Sequence, residues 1–238
     1  LFSRLANGNI SGKNDVIAVV FRYQGVGVIK VLLVDDHQVV RVGLRHLLSE
    51  VKQVEVVGEA ENGEKAWSLI ANSSLEIDVV PMDIHMPKMG GFETTRRLLR
   101  KYPKVKIIIL TASTSNLYPY HLLHVGAKGY VTKDCELDEL VKAIETVNRG
   151  KVYFSSKITA QLMQENTSPF YALSPIEMQI VLLLIENEPI SEIAKRLCLS
   201  PKTVSTYRHR ILKKVGAKNN VELVQLAAKE GLLDVPNF

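Results

Sequence analysis

Cysteine is scarce in this chain: Cys135 and Cys198 are the only two in 238 residues. Two thiols cannot form a disulfide framework or a four-cysteine zinc site, and their scarcity suits a reducing, cytoplasmic setting. Glycine (14) and proline (9) are too few for a collagen-like or low-complexity chain. Long apolar runs are missing as well. The most apolar early stretch, Val16 to Val34, is interrupted by Arg22, Gln24 and Lys30, whereas a bilayer span needs about 20 nearly uncharged residues. No membrane association is therefore expected. Residues 1–27 also lack the basic start, apolar block and small-residue cleavage site of a secretory leader, and they read as a weakly structured N-terminal extension or a short strand added at a sheet edge.

What the chain does have is enough apolar residue, 46%, to build a packed core, with 23% charged. Its length suits one or two domains. The net charge of +5 is unevenly placed. Residues 28–150 hold sixteen basic and sixteen acidic side chains, whereas Lys195 to Lys218 holds eight basic ones and no acid. A neutral first part and a cationic later stretch point to two separate tasks.

From Ile29 the hydrophobic period alternates between strand and helix. Short β-branched runs at Ile29–Val34, Val54–Val57, Ile77–Met82, Val105–Leu110 and Gly129–Thr132 read as buried parallel strands. Helical spacing follows each of them, over Val39–Leu48, Glu64–Ile70, Phe92–Arg100, Leu117–Val125 and Leu137–Val147. Five such repeats predict an α/β fold, a five-stranded parallel doubly wound (flavodoxin-like) domain over residues 28–150. Residues 151–171 read as a linker. From residue 172 the pattern is all helical, with Ser174-Pro175 followed by Glu177 as a helix start and further helices at Ile190–Leu197, Pro201–Val215 and Val221–Glu230.

In an open parallel sheet the working groups lie beyond the carboxyl ends of the strands. Here those positions hold Asp35, Asp36, Asp83, Thr111 and Lys133. Taken alone, Asp35-Asp36 reads most simply as a helix cap. Five polar groups at the ends of four strands point instead to chemistry. Carboxylates brought close together repel and call for a hard cation such as Mg2+. A cation held that way favours phosphoryl transfer, for which a carboxylate can itself be the nucleophile. Asp83 is the expected nucleophile, Lys133 the positive charge beside it and Thr111 a hydroxyl donor.

The cationic stretch begins with Ser200-Pro201, a cap and a first-turn proline. Val204, Tyr207, Ile211 and Val215 fall on one face of the predicted helix, and Lys202, Ser205, Thr206, His209, Arg210 and Lys213 lie broadly opposite. A helix with one apolar and one cationic face, preceded by Ile190–Leu197 and a tight turn at Cys198-Leu199, fits a helix-turn-helix reader of the DNA major groove.

Four segments, Lys30–Asp36 (KVLLVDD), Met82–Gly91 (MDIHMPKMGG), Ile109–Ala112 (ILTA) and Gly126–Lys133 (GAKGYVTK), resemble the receiver domain of two-component response regulators. Leu173–Leu233 resembles a LuxR-type helix-turn-helix, so the whole is similar to the NarL/FixJ type. Leu197–Tyr207 (LCLSPKTVSTY) is close to the GacA/UvrY/LetA group. The resemblance implies that Asp83 is the phosphoacceptor and that Asp35 and Asp36 help it hold Mg2+. Thr111 and Tyr130 would be the switch pair, and Lys133 the partner of the phosphoryl group. It implies as partners a sensor histidine kinase, a second copy of the phosphorylated chain, and promoter DNA. Lys202, Thr203, Ser205, Thr206, His209, Arg210, Lys213 and Lys214 would meet the DNA, with Ser205, Thr206 and His209 towards bases. In the off state the receiver would mask the basic helix. The chain would be a transcription regulator, its only catalysis its own phosphotransfer and dephosphorylation.

Two positions depart from that pattern. Val28 stands where relatives begin with Met, so residues 1–27 read as upstream of the usual start. Pro81 stands in the third strand, where its missing N–H costs a ladder hydrogen bond. Two other readings stay open: a DNA-binding regulator whose receiver is inactive because of Pro81, and an aspartyl phosphatase. The phosphatase would want a second acid two residues after the nucleophile, where this chain has His85.

Overall fold

The computed structural model describes residues 27–72, 76–112, 115–163 and 167–233. The expected N-terminal extension, residues 1–27, lies outside them apart from Gly27. Strands β1 (Ile29–Val34), β2 (Val54–Ala60), β3 (Val79–Met82), β4 (Lys106–Thr111) and β5 (Gly129–Thr132) alternate with α1 (Gln38–Ser49), α2 (Gly63–Asn72), α3 (Gly91–Lys101), α4 (Leu117–Val125) and α5 (Leu137–Asn148). The strands pair in parallel in the order β2-β1-β3-β4-β5. Successive residues point to opposite faces of a strand, and both faces here are apolar. Leu32, Val34, Val80, Met82, Ile107 and Ile109 belong to one buried cluster; Ile29, Val31, Leu33, Val79, Ile108 and Leu110 belong to the other. This two-sided burial is why the strands read as continuous apolar runs.

The sheet has six strands, not five. After α5, Gly150 adopts φ 80° and turns the chain back, and β6 (Tyr153–Phe154) pairs in parallel with β5. Tyr153 N–H donates to the Lys128 carbonyl at 2.9 Å and Ser155 N–H to that of Tyr130 at 3.2 Å. The free edge of β5 thus finds donors in a segment whose two-residue strand is too short to show a period. The stretch expected as a linker also carries α6 (Ser156–Leu162) and a 3-10 turn, Pro169–Ala172.

Pro81 is buried in β3. On the β4 side the register is unbroken from Val79 to Met82. On the β1 side only Val31↔Val79 and Val34↔Met82 pair, and by that register the ring nitrogen faces the Leu32 carbonyl. The ladder resumes at once, because Asp83 N–H donates to the Val34 carbonyl at 2.8 Å. The proline therefore removes one bond without displacing the strand end.

The last four helices are α7 (Pro175–Ile185), α8 (Ile190–Leu197), α9 (Pro201–Val215) and α10 (Asn220–Lys229). Ser174 closes a reciprocal capping box with Glu177, as the sequence predicts. Among the described residues no helix is long and apolar enough to cross a membrane.

Candidate functional site

The carboxyl ends of β1, β3, β4 and β5 bring the expected groups together. Asp35 and Asp83 are each 3% exposed and Thr111 is fully buried. Lys133 Nζ lies 2.7 Å from Asp35 Oδ2 and 2.9 Å from Asp83 Oδ2. Ile84 N–H donates to Asp83 Oδ1 at 2.8 Å. The loop after Asp83 is pinned by Gly91, whose N–H donates to the Ile84 carbonyl at 2.8 Å. A side chain at Gly91 would meet the Asp83 carbonyl oxygen at 2.0 Å, so only glycine lets α3 start this close to the acid.

Charge is out of balance here. Two carboxylates, Asp35 and Asp83, share one lysine, and Asp36 lies close beside them. Burial raises the pKa of Asp83, the Lys133 ion pair only partly opposing it. Lys133 loses solvation as well, but its bonds to Asp35 and Asp83 outweigh that and raise its pKa. One donor atom from each of Asp35, Asp36, His37 and Asp83 lies within 4.8 Å of the others. Asp36 Oδ1 is buried and accepts no well-directed hydrogen bond. The three carboxylates, one of them with a buried oxygen that lacks a hydrogen-bond donor, fit a hard divalent cation.

Tyr130 is 1% exposed. Its hydroxyl faces Thr111, and burial drives its pKa far up. The ring therefore already occupies the inward position behind Thr111.

In the helical part Ser200 accepts from Thr203 N–H at 3.0 Å and starts α9. Cys198 makes the turn before it with φ 55°. Val204, Ile211, Leu212 and Val215 are buried, while Lys202, Ser205, Thr206, His209, Arg210 and Lys213 are exposed together. Thr203 is half-buried and its hydroxyl is bonded to that of Ser200 at 2.8 Å. Lys214 turns the other way: its Nζ pairs with Glu177 at 2.7 Å and reaches the Ala172 carbonyl. Arg208 donates to Asn220 at 2.7 Å.

The cationic face of α9 is open in this structure. The receiver holds the helical part through α3 and α4. Arg196 of α8 pairs with Glu93 at 2.9 Å and donates to the Lys88 carbonyl at 2.6 Å, in the loop following Asp83. Arg97 returns a bond to the Arg196 carbonyl. Tyr118 and Ser115 donate to the carbonyls of Leu232 and Glu230. His121 bonds the Phe170 carbonyl at 3.1 Å, and its burial holds the imidazole pKa at about 4. Contacts between residues about a hundred positions apart leave no local pattern, so periodicity could not reveal Arg196 or Glu93.

His37 and Arg41 also escaped the sequence reading. Arg41 donates to the Asp35 carbonyl at 2.6 Å and pairs with Glu59. The signal available was position: His37 directly follows the acid pair, and Arg41 lies one helical turn further on.

Comparison with known proteins agrees with both halves. Residues 31–145 match the response regulator receiver domain, and residues 171–227 match the bacterial regulatory proteins of the luxR family. The chain is 43% identical over 212 residues to the response regulator GacA of Pseudomonas syringae pv. syringae, covering 87% of this chain and 98% of that one. It is 42% identical over 210 residues to UvrY of Escherichia coli K12, covering 86% and 95%. RcsB from Salmonella enterica serovar Typhimurium, solved bound to promoter rprA with the phosphomimetic BeF3-, superposes with a TM-score of 0.70 at 25% identity, covering 85% of this chain and 99% of that one. A two-domain transcriptional architecture is thereby defined, a response regulator receiver joined to a LuxR-type DNA-binding domain. The chain belongs to the response regulators with a LuxR-type DNA-binding domain.

Proposed function

We propose that this regulator accepts a phosphoryl group on Asp83 from a sensor histidine kinase and thereby controls dimerisation and promoter binding through α9. The carrying observation is a buried carboxylate, raised in pKa and 2.9 Å from Lys133, at the end of a central strand. In the transfer, the phosphorus–nitrogen bond of the donor imidazole breaks, its electron pair staying on nitrogen, as a carboxylate oxygen of Asp83 bonds to phosphorus. Lys133 then faces the new charge. Asp35, Asp36 and Asp83 would hold Mg2+, which neutralises phosphoryl oxygens when bound. Thr111 is the hydroxyl that turns to the phosphoryl group, and Tyr130 keeps the space behind it closed.

The working division is residues 28–150 as receiver, 151–171 as connector and 172–238 as DNA-binding domain. The Arg196 bonds to Glu93 and the Lys88 carbonyl join the loop after Asp83 to the first helix of the helix-turn-helix. A change at Asp83 therefore has a direct physical route to the output domain, one that repositions and pairs it rather than uncovering α9. Two copies related by a two-fold axis would then meet a two-fold DNA site. Lys202, Arg210 and Lys213 suit phosphates, Ser205, Thr206 and His209 base edges, and Thr203 the start of the helix.

The test is exposure of the full chain to a small acyl phosphate and Mg2+, followed by intact mass. An acid-labile phosphoryl adduct on the parent and none on Asp83→Asn supports the reading. No adduct on the parent favours a DNA-binding regulator with an inactive receiver, the reading that Pro81 motivates. Steady release of phosphate from a phosphomonoester would favour a phosphatase.

A further inference from the structure

We propose that the cavity between the receiver and the DNA-binding half binds a small organic cation. The ligand this site fits joins an apolar body, an ammonium group and an acceptor oxygen. The inference goes beyond the phosphoacceptor reading and holds whether or not Asp83 is phosphorylated.

The cavity has a volume of about 560 Å3 and takes its walls from both halves. Met86, Lys88 and Phe92 come from the receiver, and Leu182 and Leu183 from α7. Small-ligand sites run from about 300 to 1,000 Å3 and favour interfaces between domains. Met86, Phe92, Leu182 and Leu183 give an apolar lining that suits an aromatic body. An occupant touching both halves biases how they pack.

Charge decides what else the ligand carries. The wall holds four acids, Glu64, Glu93, Glu186 and Glu188, against two bases, Lys88 and Arg196. Arg196 is already engaged, pairing with Glu93 at 2.9 Å and Glu188 at 3.2 Å. Glu186 directly follows α7, at the negative end of the helix dipole, and the last turn of α7 has no basic side chain to offset it. Lost solvation raises the pKa of Glu186, and Arg196 only partly opposes this. An ammonium group there meets a poorly compensated carboxylate and a helix end of the same sign, whereas an anion is repelled.

Gln179 supplies an independent observation. It lines the same cavity and is 2% exposed, and its Oε1 accepts from Arg96 Nε at 2.5 Å. Its Nε2 keeps two donors with no acceptor among the described residues. A buried donor without a partner is costly, and an oxygen on the ligand removes that cost. The competing account is a solvent-filled seam, which predicts no preference among occupants of different charge.

Four probes of similar size separate the accounts, using the full chain with isotope-labelled methionine methyl groups. Phenylethanolamine carries a ring, a hydroxyl and an ammonium group. Phenylethylamine lacks the hydroxyl, phenylethanediol replaces the ammonium with a hydroxyl, and mandelate carries a carboxylate instead. Phenylethanolamine should shift the Met86 methyl resonance saturably, that resonance being identified with Met86→Leu. The resonance of Met163, exposed and outside the cavity, should stay in place. Phenylethanediol and mandelate should bind at least about tenfold more weakly, and phenylethylamine about threefold. Glu186→Gln should cut the preference for phenylethanolamine over phenylethanediol by about fivefold, with the melting temperature unaltered. No saturable Met86 shift with any probe, or phenylethanediol or mandelate binding as tightly as phenylethanolamine, overturns the cation site. A preference that Glu186→Gln leaves intact overturns the placing of the ammonium group, and equal affinity for phenylethanolamine and phenylethylamine overturns the acceptor oxygen.

Discussion

Each half of the molecule buries carboxylate against a lysine, and Asp83 and Glu177 respond in opposite directions. In the receiver, Asp83 faces Lys133 at 2.9 Å and its pKa is raised. In the DNA-binding half, Glu177 faces Lys214 at 2.7 Å; burial pushes against its charge, yet its pKa ends lowered. The difference lies in the company each keeps. Glu177 Oε2 also accepts from Ser174 N–H at 2.8 Å and its hydroxyl at 2.9 Å, so one acid has one cation and two further donors. Asp83 shares its lysine with Asp35 and has one backbone donor, Ile84. An acid with donors to spare is a brace, and one that shares its only cation stays costly to charge.

The comparison is broken most forcefully at Glu177. Glu177→Ala removes the acid of the capping box and leaves Lys214, itself 41% exposed, to water, which should destabilise the helical half by about 1–2 kcal/mol. Chemical denaturation of the full chain measures this, and a loss below about 1 kcal/mol would make the brace a mere surface pair. Asp83→Asn should act with the opposite sign. In chelator-containing buffer it removes one of three crowded carboxylates, and the melting temperature should rise by roughly 2–4 °C. The pH dependence separates the two as well. A raised Asp83 pKa means that its stabilising contribution is present at low pH and is lost as pH climbs through the folded value. A lowered Glu177 pKa means that its contribution holds above the usual glutamate value of 4.5 and is lost as pH falls through the folded one. Mild acid should therefore favour the receiver's site before it harms the DNA-binding half.

Pro81 tests whether the receiver's site depends on the whole strand beneath it. The proline removes one bond on the β1 side, while Asp83 N–H still reaches Val34. Pro81→Leu restores the donor and should add about 1 kcal/mol of stability. The rate of phosphoryl labelling should change little. A large gain in labelling would show that the strand, rather than the charge cluster, limits the site.

The unequal legibility of the two halves has the same physical origin as their charge chemistry. Asp35, Asp83, Thr111 and Lys133 were readable because each ends a strand whose apolar run is itself a pattern, and a parallel sheet aligns strand ends. Glu177 was readable as a cap, since Ser174 lies three residues before it. Its partner Lys214 is 37 residues away on another helix, and among eight basic residues nothing local marks it as different. The same holds for Arg196 and Glu93, which meet only after the two halves pack. His37 was adjacent to the acid pair and still passed over, because a single exposed histidine has no period to betray it. The sixth strand escaped for want of length: two residues added to an edge make backbone bonds that side-chain pattern does not encode.

Adjacent lysines of α9 give the finest version of the contrast. Lys213 is exposed on the cationic face, whereas Lys214 is spent on Glu177 and the Ala172 carbonyl. A lysine that grips a phosphate releases one condensed counterion, so its loss lowers the slope of log affinity against log salt by about 0.9. Lys213→Ala should show that change in promoter binding with the melting temperature unaltered. Lys214→Ala should do the reverse, lowering the melting temperature while leaving the salt slope as it was. Equal slopes in the two variants would mean that the two side chains are interchangeable on the DNA and that the Glu177 pair opens on binding. The brace in the DNA-binding half would then be as convertible as the acid in the receiver.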